Sequence, residues 1–132
     1  MIAPKVKNHL YTIEFLTHSD HIEAYISGEH DNYETSIQYW TDIAKKLRQV
    51  RLDQVLVIED IAETSELTDI FRLVKELGDV GFRGVKVAFV DKYLSHQEQN
   101  DFGVMVGNNR GLHGQAFGDI EEAREWLLDD MT

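Results

Sequence analysis

The chain has no cysteine, a single proline, and 13 basic side chains against 24 acidic ones. Each scarcity excludes something. Without cysteine there is no disulfide framework, thiolate zinc site, iron–sulfur cluster or cysteine nucleophile. Pro4 precedes every periodic segment, so proline interrupts no later element. A net charge of −11 works against nonspecific duplex binding, which depends on neutralising phosphates. No run approaches the ~20 apolar residues needed to cross a bilayer, and the first residues lead into no apolar stretch of signal-peptide length. These absences give the expectation of an acidic cytoplasmic protein without a nucleic-acid partner or membrane insertion.

What is present suits one folded domain. With 132 residues, 42% of them hydrophobic, the chain can bury a sizeable core without a metal or disulfide staple. It contains no repeat, low-complexity tract or linker. We therefore expect a single domain over residues 1–132 with an ordered core at about 9–128.

The hydrophobic period then sets the elements. Residues 10–16 and 21–27 read as strands, the second alternating Ile22, Ala24 and Ile26 on one face. The polar run from Thr17 to Asp20 between them is turn chemistry. A helix over about 32–51 follows, with Ile37, Trp40, Ala44, Leu47 and Arg51 in its stripe and Asp31 or Asn32 as N-cap. Val55-Leu56-Val57-Ile58 is a short continuous apolar run, as in a strand buried on both faces. A helix at about 66–79 buries Leu67, Ile70, Phe71, Val74 and Leu77, and Gly78 or Gly81 ends it. Next come a buried strand at 85–90, a helix at about 96–109 with Phe102, Met105 and Val106 inward, a short strand at 113–117 and a helix at about 120–128. The order is ββαβαβαβα, an α/β domain with a mixed, mostly parallel sheet and four helices.

This order resembles the STAS fold of bacterial anti-sigma-factor antagonists, and more closely the SpoIIAA-like family. The resemblance is carried by the arginine-led strand Phe82-Arg83-Gly84-Val85-Lys86-Val87-Ala88-Phe89-Val90. Phe102, the turn Asn109-Arg110-Gly111, and the ending from Phe117 through Ala123 to Trp126-Leu127 add to it. In the antagonists a serine at the helix after the third strand is phosphorylated by a partner kinase. The resemblance places that site near Ser65, within Asp60, Glu63, Thr64, Ser65 and Glu66, the candidate switch and interaction segment. The family's Asp-Ser pair is absent there. Residues 59–69 carry five acids and no base, so a phosphate would meet like-charge repulsion. As an N-cap, Ser65 would instead accept a helix amide bond.

Other constellations are thinner. Asp60 and Asp91, with Glu59, fall at the carboxyl ends of two buried strands, where open α/β sheets hold ligands. Asp60 and Asp91 are the weak candidate for Mg²⁺, which needs several converging oxygens. Of six histidines only His18 and His21 are close, in a turn, where a zinc site of three or four ligands lacks partners. We expect no metal and no cofactor. No Gly-x-Ser-x-Gly elbow or phosphate loop occurs, and Gly103 and Gly107 suit close packing on the sheet. Trp40 belongs to the core stripe. Tyr33 and Tyr39 fall off it, and with Tyr93 they are the candidate lining of a ligand pocket.

The leading functional expectation is a non-enzymatic cytoplasmic regulatory or protein-interaction module that engages a protein partner through residues 59–69. The alternatives are a carrier or sensor of a small apolar, lipid-like ligand held between helices and sheet, and a Mg²⁺-dependent enzyme using Asp60 and Asp91. A homodimer is compatible with all three.

Overall fold

A computed structural model describes residues 6–7 and 10–130. Among these residues six strands form one sheet in sequential order: β1 (Val6–Lys7), β2 (Thr12–Thr17), β3 (Ile22–Gly28), β4 (Gln54–Ile61), β5 (Lys86–Asp91) and β6 (His113–Phe117). β1, β2 and β3 are antiparallel neighbours, and β3 to β6 run parallel. The helices are α1 (Tyr33–Val50), α2 (Leu67–Leu77), α3 (Gln97–Asn109) and α4 (Ile120–Leu128). Five strands and four helices match the expected order. Val6–Lys7, expected to lie in a tail, pairs with β2 as an edge strand, too short to show any period.

The sheet has two covered faces. Ile13, Ile26, Val57 and Phe82 share a core with Trp40, Ile43 and Leu47 of α1, Leu73 and Val74 of α2, and Val106 of α3. Leu56, Ile58, Ala88 and Val90 meet Ala123 and Leu127 of α4 on the other side. The three crossover helices thus share one face, because the parallel strands advance in one direction without reversal. Such a sheet has no switch point, the place where open α/β sheets part to admit ligands.

Local chemistry explains the helix ends. Asn32, not Asp31, caps α1: its side chain accepts from the Thr35 amide at 2.9 Å. Arg51, expected on the apolar stripe, is exposed in the left-handed conformation at the C-cap, with φ 59°. Ser65 is not an N-cap; Glu66 occupies that position without a side-chain hydrogen bond. α2 then runs into a π-helical turn, Gly78–Phe82, that turns at Gly81 with φ 138°. Gly111, in the turn after the C-cap Arg110 of α3, has φ 81°.

Three residues assigned to buried faces lie outside. Leu67, Phe71 and Met105 are exposed large hydrophobics, because α2 and α3 pack against each other and leave narrower sheet-facing stripes. The small face of α3 serves that contact. A Cβ at Gly103 would meet Ile70 at 3.3 Å, and one at Gly107 would meet Val74 at 3.3 Å, so both glycines admit α2 rather than the sheet.

Candidate functional site

Between α1, α2, α3 and the sheet lies a cavity of about 140 Å³. Its body is apolar, walled by Trp40, Leu73, Val74, Val87, Phe89 and Leu112 among others. One end is polar and presents Asp31, Ser36, Tyr39, Glu59, Ser65 and Gln99. The apolar walls follow from helix and strand periodicity. The polar end does not, because it gathers residues from α1 and the loop before it, the end of β4, the loop after it and the start of α3.

Glu59 arrives there by strand alternation, in phase with Val55, Val57 and Ile61 on the core face. It is 4% exposed, and its carboxyl accepts from Tyr39 Oη at 2.5 Å. Burial pushes its pKa well above the ordinary carboxylate value, and the nearby Asp31 charge adds to the shift. Asp31 is raised as well, again chiefly by burial, although Ser36 Oγ donates to it at 2.6 Å. Burial beside these acids raises the Tyr39 phenol too. Ser65 Oγ is buried close enough to Asp31 to favour that carboxylate's charge, yet it makes no hydrogen bond of normal geometry. Gln99 Oε1 is a second buried oxygen without a partner among the described residues.

Asp91 is the register neighbour of Glu59 and is likewise buried, at 4%. It accepts from the Tyr93 amide at 2.9 Å, His96 Nδ1 at 2.9 Å and Asn100 Nδ2 at 3.0 Å. His96 in turn contacts the Ala62 carbonyl through Nε2 at 2.9 Å, tying the start of α3 to the loop after β4.

The structure separates Asp60 from Asp91. Alternation turns Asp60 to the α4 face, where it meets Lys92 Nζ at 3.8 Å and favours the neutral Tyr93 phenol. The pair proposed for Mg²⁺ therefore points to opposite sides of the sheet. Among the switch residues, Thr64 and Ser65 line the cavity while Glu63 and Glu66 are exposed. His30 pairs with Glu63 at 2.8 Å at the surface.

Of the tyrosines, Tyr33 and Tyr39 line the cavity. Tyr33 also donates to Glu76 and stacks under Arg72, 3.7 Å from ring to guanidinium carbon, linking α1 to α2. Tyr39, expected off the core stripe, is 2% exposed. The helix turns both Tyr39 and Trp40 inward, and the phenol tolerates burial by bonding Glu59. Tyr93 instead borders a separate depression of about 120 Å³ with Leu94, Gln97 and Phe117. Sequence reasoning missed Asp31, Ser36 and Gln99 as site residues. A usable signal existed for Glu59 alone, an acid in the core phase of an apolar strand.

No family model matches the chain, and no curated protein matches it. Among solved structures, the fold is similar to that of an uncharacterised protein of the DUF3478 family, with a SpoIIAA-like fold, from Shewanella loihica PV-4. The two are 14% identical, the likeness covers 95% of this chain and 99% of that chain, and the TM-score is 0.54. The chain thus has a SpoIIAA-like α/β fold. Among the described residues no helix is long and apolar enough to cross a membrane.

Proposed function

We propose that this protein is a non-enzymatic cytoplasmic regulatory module that senses a small molecule in the cavity beneath α1, α2 and α3. The observation that carries this reading is the cavity itself, apolar along its body and rich in buried oxygens at one end. A space of about 140 Å³ is close to one of ~150 Å³ that takes benzene. A lipid chain exceeds it, whereas a short apolar or aromatic body fits. Asp31, Glu59 and the unpartnered Gln99 Oε1 present acceptors, so the head group they favour is a hydrogen-bond donor, above all an ammonium.

The regulatory part rests on the loop after β4. Thr64 and Ser65 line the cavity, and the adjoining Glu63 and Glu66 are exposed. A ligand touching the inner residues acts on the acidic surface that a basic protein partner would meet. The separation of Asp60 and Asp91 supports a binding role over phosphoryl transfer through those two groups.

Thermal-shift titration with benzylamine, benzyl alcohol and toluene tests the ligand class, because a ligand bound only to the folded state stabilises it. The expected order is amine above alcohol above hydrocarbon, with Val87→Phe abolishing the shift by filling the cavity. The absence of any shift, together with no co-purifying small molecule in native mass spectrometry from the source cell, overturns the reading.

A further inference from the structure

At the opposite end of β4 from the acidic cluster, the β2–β3 turn assembles a second group of side chains. Gln54, the first residue of β4, donates Nε2 to the Asp20 carbonyl at 3.1 Å and fixes the turn there. The His18 amide donates to the His21 carbonyl at 2.9 Å, which sets the two histidines across from each other. Their rings stack with centroids 4.3 Å apart and planes 12° from parallel. His21 and Glu23 are two residues apart on extended chain, so they share a face. His18 Nε2 hydrogen-bonds Glu23 Oε2, and His21 Nε2 lies 3.9 Å from the same oxygen. One ligand atom from each of the three lies within 4.8 Å of the others.

Two further features point to an ion. His21 Nδ1 lies 2.7 Å from Asp20 Oδ1. A carboxylate only accepts, so Nδ1 carries a proton, and in the neutral ring Nε2 presents the lone pair. Among the described residues that Nε2 has no hydrogen-bond partner, and it is buried on a side chain 5% exposed. Buried acceptors rarely stay unpaired. A carboxylate on the far nitrogen is also how metal-bound histidines are oriented. Glu23 is held in the same manner. Its Oε1 accepts from Tyr25 Oη at 2.9 Å and Arg124 Nη2 at 3.0 Å, leaving Oε2 to the imidazoles.

We propose that His18, His21 and Glu23 bind one divalent first-row transition ion, with Zn²⁺ as the reference case. Two imidazoles and a carboxylate form the ligand set of open zinc centres and of mononuclear non-haem iron centres. Bonds of about 2.1 Å in tetrahedral geometry put ligand atoms ~3.4 Å apart. His21 Nε2 and Glu23 Oε2 need only close from 3.9 Å. His18, 38% exposed at the solvent edge, gives up its hydrogen bond to Glu23 as the ion replaces the proton between them. Three protein ligands leave a fourth position for water. None of the three residues lines the cavity, so the ion site stands apart from the proposed sensor function.

The test uses chain without a polyhistidine tag, stripped with chelator and titrated with Zn²⁺ by calorimetry and with Co²⁺ by visible absorption. A single ion should bind, with the intense visible bands of four-coordinate Co²⁺. Asp20→Asn should weaken binding about ten- to a hundredfold, and His21→Ala should weaken it further. His18→Ala, at the solvent edge, should also lose the bands, with its melting curve recorded alongside to confirm that it is folded. His30→Ala, at the other end of the sheet, should bind as wild type does. Absence of binding overturns the proposal. Equal binding by wild type and His18→Ala identifies adventitious coordination only and overturns it equally.

Discussion

Glu59 and Asp91 stand side by side at the carboxyl ends of two adjacent parallel strands, but only Asp91 is fully provided with donors. Three groups donate to Asp91, whereas Glu59 has one donor in Tyr39 and faces a second acid in Asp31. The backbone register makes the pair; the surrounding side chains make the two carboxyls unequal. One anchors α3, and the other is left as a costly buried acid at the polar end of a cavity.

That cost sets a pH dependence. Glu59 has a folded-state pKa raised above its ordinary 4.5, so the folded chain holds the proton more tightly than the unfolded chain. Its contribution to stability is therefore fully present below about 4.5 and is lost as pH rises from there through the folded value. Glu59→Gln removes this titration while keeping an acceptor for Tyr39. At neutral pH it should raise the unfolding midpoint by about 3–5 °C, with a difference from wild type that vanishes in acid. The same variant should weaken benzylamine binding. Melting curves from pH 4 to 8 check the first outcome, and a gain that persists unchanged in acid contradicts it.

Ser65→Asp should behave as a core lesion and not as a switch. The side chain is 8% exposed and faces Asp31, so a second charge enters a buried acidic site. A loss of roughly 2–4 kcal/mol in urea unfolding is expected. Unchanged stability with altered partner recovery would restore the phosphorylation switch.

His96→Ala should cost about 2–4 kcal/mol, since it strips a donor from buried Asp91 and releases the Ala62 carbonyl. Hydrogen exchange should then rise at the start of α3 and in the loop after β4 together. Faster exchange confined to α3 would show that His96 does not join the two.

Gly81→Ala and Gly84→Ala separate backbone strain from crowding. Both positions have positive φ, 138° and 79°. A Cβ at Gly81 would also meet Arg48 Nη1 at 3.0 Å and Ala44 Cβ at 3.2 Å, whereas one at Gly84 meets nothing within 4 Å. Both variants should lose stability, Gly81→Ala by about 1–3 kcal/mol more. Equal losses would mean that the π-helical turn yields freely.

The sequence by itself determined the element order from β2 onward, the span of α4, the N-terminal region of α1 and most of the core, because hydrophobic period and capping are local properties. Trp40, Leu47, Val74 and Leu77 were all legible as core from spacing alone. Only the tertiary structure decided which side chains meet. A one-residue difference in strand phase sent Asp60 to α4 and kept Glu59 in the core. The turn after β2 brought Glu23 under His18 and His21, although nothing in their spacing specifies a common oxygen. Packing of α2 against α3 exposed Phe71 and Met105 despite their apolar character. These outcomes depend on register and on the layer above each strand, interactions between residues distant in the chain, which no local period records.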